Sequence, residues 1–375
     1  MSIVHAIIGY GGMGSWHHRS LKEHVSAIQV KGAWDVREEA RQKARDAGIL
    51  AYESLDALLK DPEVQLVTIA TPNDFHKDLC IAALRAGKNV ICEKPVTLNA
   101  QELTEIIDVA KETGLLFTVH HNRRLDRDYR IVQETLKSGL LGRPYFLESK
   151  VQGSRRSLHG WRGHKLNGGG MLLDWGIHLI DQMMDLICSP VVAVDAHLLS
   201  IYTPEVDDNI KLTLTFENGA VAMLEMATNC LINAPRWHIS GTEGTMVIEN
   251  WECDGRIMRL KADGEMAWED DIVYTAAGPT RTMAPRPAHT MEELPLPDVK
   301  TQWSDYYNNI VDVLENGAAP MVTHEQLLRV MRVVVRPGRR RQEVPYLTCK
   351  KYRYYGGSYD ETSTDCTRRL AGTRT

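Results

Sequence analysis

Two residues able to move a proton, Asp174 and His178, stand four positions apart in one amphipathic segment. The segment 170–187 is predicted to be a helix because apolar residues recur in it at helical spacing: Leu173, Ile177, Ile180, Met184 and Ile187. Residues four apart share a helical face, so Asp174 is predicted to hydrogen-bond one ring nitrogen of His178 and leave the other free as a general base. Asp181 and Asp185 continue this row. The alternative is a polar row at the edge of the helix with a solvated histidine.

Two polar loops follow apolar runs that read as strands. The first follows 67–70 and contains Thr71, Pro72, Asn73 and His76. The second follows 90–92 and consists of Glu93, Lys94 and Pro95. Either could be a simple turn, because proline and asparagine suit turn geometry. Open parallel sheets bind ligands at the carboxyl ends of their strands, so the two loops together predict a cofactor cleft.

A glycine pattern opens the chain directly after the apolar run 3–8, and it consists of Gly9, Tyr10, Gly11, Gly12, Met13 and Gly14. This spacing is typical of a dinucleotide-binding turn, in which one glycine turns the chain, one admits a pyrophosphate and one lets the helix pack closely on the sheet. A second apolar run, 28–34, ends at Asp35, where such folds place the acid that binds the ribose. The alternative is a glycine-rich turn in an unrelated α/β protein.

The cofactor preference depends on charge at the end of the second run. Asp35 would accept hydrogen bonds from a ribose 2′-hydroxyl and repel a 2′-phosphate, which favours NAD. Arg37 could pair with such a phosphate, so NADP stays open as the alternative.

Apolar runs alternate with amphipathic segments up to residue 120. The runs 3–8, 28–34, 64–70, 89–92 and 115–119 read as buried parallel strands, so the fold class is α/β with an N-terminal doubly wound sheet. Beyond this point, strand-like runs with hairpin punctuation predict a mainly antiparallel sheet: 145–152, 191–201, 210–216, 221–227, 236–240 and 245–249. An extended excursion over 277–298 and helices near 302–315 and 324–335 complete the prediction.

Composition narrows the class of protein. The chain has 375 residues and a formal net charge of −5, with no basic block before residue 336, so two domains are expected and nucleic acid is not an expected partner. No apolar run reaches the ~18 residues of a membrane span and no leader pattern opens the chain, so a cytoplasmic protein is expected.

The seven scattered cysteines lack CxxC spacing and predict neither disulfides nor structural zinc. Two histidine doublets, His17-His18 and His120-His121, could be read as metal ligands. Adjacent residues point in different directions, and no carboxylate–histidine set is visible beside them in the sequence, so no metal site is expected.

The chain resembles the Gfo/Idh/MocA family of sugar and inositol dehydrogenases over residues 3–335. The resemblance rests on the glycine pattern, Asp35, Thr71-Pro72-Asn73, Glu93-Lys94-Pro95 and the segment 168–178, which reads GGGMLLDWGIH. It implies a Rossmann domain followed by an α/β domain with a large open sheet that commonly supports oligomerisation, so a homo-oligomer, dimer or tetramer, is expected.

The resemblance also implies roles for Lys94, Asp174 and His178, which line the family site where substrate meets nicotinamide. Hydride would pass between a ring carbinol carbon and NAD, His178 would take the hydroxyl proton, Asp174 would hold its tautomer, and Lys94 would stabilise alkoxide character. Further candidates, each equally open to a surface or packing role, are Asn122 near the cofactor and Arg123, Arg124, Tyr129, Trp161, Arg162 and His164 near the substrate.

Two domains and a tail are expected: residues 1–120 for the cofactor, residues 121–335 for substrate and assembly, and a basic, tyrosine-rich tail over 336–375 that departs from the family pattern. A weakly ordered end, a shifted reading frame and an interaction arm are the alternatives for the tail.

The leading function is an NAD-dependent dehydrogenase of a sugar, glycoside or inositol. A redox-neutral glycosidase that oxidises its substrate transiently is the alternative from another class. A non-catalytic cofactor sensor is the third hypothesis. Lys94, Asp174 and His178 together argue against it, because a sensor needs no proton acceptor beside the nicotinamide.

Overall fold

A computed structural model of the chain describes residues 2–261, 272–280 and 286–335. Six parallel strands, β1 to β6, form its first sheet: Ile3–Ile8, Ile28–Trp34, Leu50–Ala51, Leu66–Ile69, Asn89–Cys92 and Phe117–Val119. Their spatial order is β3-β2-β1-β4-β5-β6. The order reverses between β1 and β4, and this is the point at which doubly wound sheets bind dinucleotides. The α/β fold class and the parallel first sheet are therefore confirmed.

Five helices, α1 to α5, connect these strands: Gly12–His24, Glu38–Asp46, Leu55–Lys60, His76–Arg85 and Ala100–Thr113. Helix α5 has a conventional start, because the Asn99 side chain accepts a hydrogen bond from the Glu102 backbone N–H at 2.9 Å. It ends at Gly114, whose φ of 68° suits a glycine C-cap. Helix α1 has no side-chain cap and no acidic residue in its first turn. The first N–H groups of α1 therefore stay available to an external anion.

Eight strands, β7 to β13 and β16, form the second sheet, and a separate hairpin supplies β14 and β15. In chain order these ten strands are Pro144–Gln152, Val191–Leu199, Asn209–Phe216, Val221–Ala227, Trp237–Gly241, Gly244–Ile248, Gly255–Leu260, Val273–Thr275, Gly278–Thr280 and Met291–Leu294. The sheet order is β16-β13-β12-β11-β7-β10-β9-β8. Neighbouring strands are antiparallel except β7 and β10, which run parallel. The expected mainly antiparallel sheet is confirmed.

Four helices belong to the second half: α6 to α9, at Arg127–Lys137, Ile177–Leu186, Ser304–Asn316 and His324–Val335. Helix α7 packs on β10, and α8 returns to the first sheet, where it packs on α1. The side chains of Leu147, Leu214, Leu224 and Trp237 are buried under the second sheet. No helix in the described residues is both long and apolar enough to cross a membrane.

The predicted element bounds agree with the structure best where a whole apolar run forms one strand, as in β1, β2, β5 and β10. The strands predicted over 64–70 and 115–119 are longer than β4 and β6. Apolar residues stay buried beyond the end of the hydrogen-bonded strand, as Val64 does at 2% exposed, so an apolar run overestimates the strand. The sequence did not predict β13, and β16 lies within the stretch expected to be extended. The expected tail, 336–375, lies outside the described residues.

The glycine turn gives a matched stability test. A Cβ at Gly14 would overlap the backbone carbonyl of Gly9, whereas a Cβ at Gly12 would meet no heavy atom within 4 Å. We expect Gly14→Ala to push α1 from the sheet and cost about 1–3 kcal/mol of folding free energy, as overpacking does. Gly12→Ala should leave stability unchanged or slightly raised. Thermal melting without cofactor checks this, and an equal loss in both variants would contradict the packing argument.

Candidate active site

The turn between β1 and α1 presents bare backbone to solvent. Gly9 has φ 93°, and a Cβ there would lie 2.7 Å from the Ala70 carbonyl oxygen, so this position turns the chain. A Cβ at Gly11 would meet only the Arg37 guanidinium, at 3.6 Å. Met13 on the first turn of α1 is 37% exposed. Open backbone before an uncapped helix N-terminus fits the pyrophosphate of a dinucleotide.

Asp35 lies at the carboxyl end of β2, and its carboxylate accepts four hydrogen bonds, one of them from Arg37 Nη2 at 3.2 Å. Its Oδ2 accepts the Tyr10 backbone N–H at 2.9 Å, and its Oδ1 accepts the Arg37 backbone N–H at 2.9 Å and Nε at 3.1 Å. Burial alone would raise the pKa of Asp35, but the hydrogen bonds from Arg37 and Tyr10 hold that pKa below its usual value. An ionised acceptor therefore lies beside the glycine turn.

The two polar loops lie together at the same edge of the sheet. His76 is buried, and its ring nitrogens lie 2.8 Å from the Pro95 carbonyl oxygen and 2.9 Å from that of Thr71. The Asn73 amide donates to the Gly168 carbonyl at 2.9 Å. Both ring nitrogens of His76 and the amide N–H of Asn73 thus join loops to each other. The cofactor contacts expected of these two residues stay a prediction.

Lys94 connects the two sheets at this edge. Its ammonium lies 2.8 Å from the Asp174 carbonyl oxygen and 3.0 Å from Asp174 Oδ1. The other carboxylate oxygen of Asp174 accepts Arg162 Nε at 3.2 Å. Burial alone would raise the pKa of Asp174, but the two cations lower it below its usual value. Lys94 is thus fixed beside an ionised carboxylate.

The predicted hydrogen bond between Asp174 and His178 is wrong. Residues 172–176 form a π-helical turn before α7, so the segment 170–187 is not one continuous α-helix. A π-turn has i→i+5 hydrogen bonds, so the spacing of an unbroken α-helix does not describe the backbone between Asp174 and His178. Both carboxylate oxygens of Asp174 are instead bonded to Lys94 and Arg162.

His178 is a buried, neutral imidazole at the start of α7. Burial first, and then the charges of Lys94 and Arg123 together with His121, hold the pKa of His178 well below its usual value. Its Nδ1 has no hydrogen-bond partner among the described residues. The ring can accept a proton, and Lys94 lies close enough to lower its pKa.

Three glycines let the chain fold tightly over this site. Gly168 and Gly170 have φ of 69° and 104°, and a Cβ at Gly169 would overlap the Arg162 carbonyl. The turn that carries Arg162 is pressed against this glycine run, with the Arg162 guanidinium 4.5 Å from the Trp161 ring centroid. His164, in contrast, is largely exposed and lies 3.1 Å from Glu205. Trp161 and Arg162 thus lie at the site, and His164 lies at its rim.

Two predicted substrate residues are buried in the core. Arg124 donates to both carboxylate oxygens of Asp181 at 2.7 and 2.6 Å. Tyr129 is fully buried and its hydroxyl donates to Asp185 at 2.5 Å. Because both side chains are enclosed and paired, neither is placed to contact a substrate, and the expectation for them is corrected.

Asn122 and Arg123 lie on the short 3₁₀ turn after β6. Asn122 is half-buried, and its side chain makes no hydrogen bond within the described part of the chain. The Arg123 guanidinium lies 4.7 Å from the Trp175 ring centroid and 5.8 Å from that of Trp251. The two tryptophans of this stack were missed, since only a three-dimensional contact brings Trp251 near residue 175.

The sequence also missed a carboxylate between two histidines. Glu93 Oε1 lies 2.8 Å from His17 Nε2 and 2.8 Å from His120 Nδ1, and all three side chains are buried. We expected the two histidine doublets to lack a carboxylate partner, and that expectation is wrong, because β5 brings Glu93 between them. The alternation of strands and helices was the available signal, since it places residues after β1, β5 and β6 at one edge.

Comparisons with known proteins agree with this geometry. Residues 3–121 match the model of an oxidoreductase family with an NAD-binding Rossmann fold, and residues 129–247 match the Gfo/Idh/MocA C-terminal domain. The chain is 28% identical over 333 residues to scyllo-inositol 2-dehydrogenase (NADP(+)) IolW of Bacillus subtilis, covering 88% of this chain and 90% of that protein. It is 33% identical over 256 residues to the uncharacterized oxidoreductase C26H5.09c of Schizosaccharomyces pombe, covering 64% and 69%.

Among solved structures, the NAD-binding protein from Listeria innocua is 41% identical, with a TM-score of 0.84 over 89% of this chain and 95% of that one. The two family models together span more than half of the sequence. The chain therefore belongs to the Gfo/Idh/MocA family and is an NAD(P)-dependent oxidoreductase.

Proposed function

We propose that this enzyme transfers hydride between a hydroxyl-bearing ring carbon of a sugar, glycoside or inositol and NAD. The observations that carry the proposal are the Lys94–Asp174 pair at 3.0 Å and, four residues after Asp174, the buried His178 imidazole, whose Nδ1 has no partner among the described residues. Relatives named scyllo-inositol 2-dehydrogenase and myo-inositol 2-dehydrogenase support a cyclic polyol as the substrate class.

Each reacting group has one role. His178 takes the hydroxyl proton, which a neutral imidazole can do. Lys94 donates a hydrogen bond to the same oxygen and stabilises the negative charge that develops there. Asp174 holds Lys94 in place. This role takes the place of the hydrogen bond to His178 that the sequence predicted for Asp174. Bound NAD supplies the hydride acceptor.

The chain's own residues determine how NAD would be held. The backbone of Gly11 and Gly12 and the start of α1 would hold the pyrophosphate, and Asp35 would accept a hydrogen bond from the ribose. The loops at Thr71-Pro72 and Glu93, which follow β4 and β5, and Asn122, which follows β6, would contact the cofactor at the carboxyl ends of these strands. Trp161 and Arg162 form a wall for the sugar ring, because an aromatic face packs against its C–H groups and a guanidinium binds hydroxyls.

We propose that NAD is preferred over NADP because the Asp35 carboxylate is ionised and already paired with Arg37. Asp35→Asn keeps the shape of the side chain and removes its charge, so the repulsion of a 2′-phosphate is lost and Arg37 is released. We expect the ratio of kcat/KM with NAD to that with NADP to fall about tenfold or more. Steady-state kinetics with both cofactors measure it, with melting as the folding control. An unchanged ratio would remove Asp35 as the determinant.

Removing the imidazole tests the proton acceptor. His178→Ala should lower kcat by about 10² to 10⁴, the usual contribution of a general base, while the Kd for NAD stays within about threefold. Exposed His197 on β8 provides a matched control, and His197→Ala should leave both constants unchanged. The assay is NADH formation with a panel of inositols, aldoses and glucosides. Normal turnover in His178→Ala would exclude His178 as the base.

The same panel separates the dehydrogenase from a redox-neutral glycosidase. A dehydrogenase accumulates one NADH for each ring hydroxyl oxidised. Glycoside cleavage with no net NADH after a single turnover would instead show that the oxidation is transient, and the dehydrogenase proposal would fail.

We further propose a homo-oligomer formed through the uncovered face of the second sheet. Side chains on this face of β7, β9 and β10 remain partly exposed, and they combine apolar Met223 with the charged residues Glu148, Lys150, Lys211 and Glu225. Light scattering after size-exclusion chromatography should give a mass at least about twice the 42.3 kDa of one chain. Met223→Lys should shift the population toward the monomer, and a monomeric wild type would contradict the proposal.

A further inference from the structure

A continuous row of buried hydrogen bonds lies directly behind Lys94. We call it the Glu93 network; its members are His5, Thr68, Tyr307, His17, Glu93 and His120. Tyr307 belongs to α8, whereas the other five belong to the first sheet or to α1 and its loops. The network therefore joins the last part of the second half of the chain to the loop that carries the reacting lysine.

The proton positions around Glu93 follow from its chemistry. An ionised carboxylate only accepts hydrogen bonds, so His17 Nε2 and His120 Nδ1, each 2.8 Å from Oε1, must both carry hydrogen. Burial alone would raise the pKa of Glu93, but the two imidazoles hold it well below its usual value. Glu93 is thus an anion fixed by two donors.

The remaining hydrogens point in one direction. Burial lowers the pKa of His17 and lowers the pKa of His5 to about 3, so both rings are neutral. With hydrogen on Nε2, His17 accepts the Tyr307 hydroxyl hydrogen at Nδ1, over 2.8 Å. Tyr307 then accepts from Thr68 at 3.3 Å, and Thr68 accepts from His5 Nε2 at 2.8 Å.

The two ends of this series agree with the assignment. His5 Nδ1 and His120 Nε2 are buried and have no partner in the described part of the chain. A hydrogen on either atom would be a buried N–H group without an acceptor, so both atoms are assigned a lone pair. Every donor of the Glu93 network is therefore used, and each one points along the series toward Glu93.

The network ends on the peptide that positions Lys94. Glu93 Oε2 accepts the Lys94 backbone N–H at 3.2 Å, while Oε1 is held by the two imidazoles. A carboxylate that cannot rotate fixes this backbone N–H, and the fixed backbone limits where the side-chain ammonium can reach. That ammonium lies 3.0 Å from Asp174 Oδ1.

We propose that His17 and His120 are positioning residues for Lys94: they hold the Glu93 carboxylate in one orientation and so aim the Lys94 ammonium at Asp174. Tyr307 supports His17 from α8. The reaction assigned to Lys94 rests on the proposed function, but its positioning does not.

A divalent cation bound by the same three atoms is the competing interpretation, since they lie within 4.8 Å of one another. The separations favour protons. Ligands at about 2.0–2.1 Å from a tetrahedral zinc lie about 3.3 Å apart, whereas both nitrogens lie 2.8 Å from Glu93 Oε1, an ordinary hydrogen-bond length.

Crossed amide variants test the proposal in the full-length protein. Glutamine places its amide nitrogen where histidine has Nε2, and asparagine places it where histidine has Nδ1. His17→Gln and His120→Asn should therefore keep the donor to Glu93, whereas His17→Asn and His120→Gln should lose it. All four substitutions introduce a polar side chain, and melting curves identify any variant that fails to fold. If one fails, Tyr307→Phe is a milder variant: it keeps both donors to Glu93 but removes the hydrogen bond from Tyr307 to His17.

The first measurement is the rate at which trace acetic anhydride acetylates Lys94. Mass spectrometry measures this rate, which is divided by the rate for the exposed Lys60 in the same sample. We expect the rate to rise about threefold or more in the two donor-losing variants and to stay within about 1.5-fold in the two donor-keeping ones. Tyr307→Phe should give an intermediate rise. Equal rates in both members of each pair would overturn the proposal.

The second measurement is kinetic, with the best polyol of the panel. The donor-losing variants should lower kcat about tenfold or more and change KM less than threefold, and the donor-keeping variants should restore most of kcat. If the wild type oxidises no polyol, the proposed function fails, yet the labelling rates still decide the role of the network. Elemental analysis completes the test: one equivalent of a divalent metal in the wild type that is lost in His17→Asn would overturn the proposal.

Discussion

The contact between Lys94 and Asp174 is the constraint on which the rest of the site depends. Lys94 follows β5 of the first sheet, and Asp174 lies in the turn that leads into α7 under the second sheet. The ammonium bonds both the carbonyl and the carboxylate of one residue, at 2.8 and 3.0 Å. Removing one partner would leave the other charge buried and uncompensated, so this contact ties the loop after β5 to the turn before α7.

Much of the fold could be predicted because the signals are local. A buried parallel strand reads as an apolar run, and β1, β2 and β5 have the bounds that their runs predict. The glycine turn and Asp35 are also local, and the structure gives a steric reason for Gly9 and Gly14. What failed was geometry that depends on backbone detail: periodicity predicts a helix over 170–187 but does not distinguish a π-turn from an α-turn.

The structure places the predicted Lys94 beside the predicted Asp174, but the partners of the other polar side chains could not be predicted. Arg124 lies beside the site in sequence, but the folded chain pairs it with Asp181, 57 positions away, and buries both. Tyr307 contacts His17 across 290 positions. Periodicity shows which face of an element is apolar, but the partner of a polar group across elements depends on packing that one sequence does not display.

The π-turn at Leu172–Gly176 has a consequence for how the enzyme can change. Such a turn is equivalent to one additional residue inserted into a helix, and each residue of an α-helix rotates the chain by about 100°. Loss of a single residue there would leave an ordinary helix but swing Asp174 and His178 relative to each other. The relative orientation of Asp174 and the proposed proton acceptor His178 is therefore set by the number of residues in this turn. Under the proposed mechanism, an insertion or deletion there would alter the geometry of the site while every side chain keeps its identity.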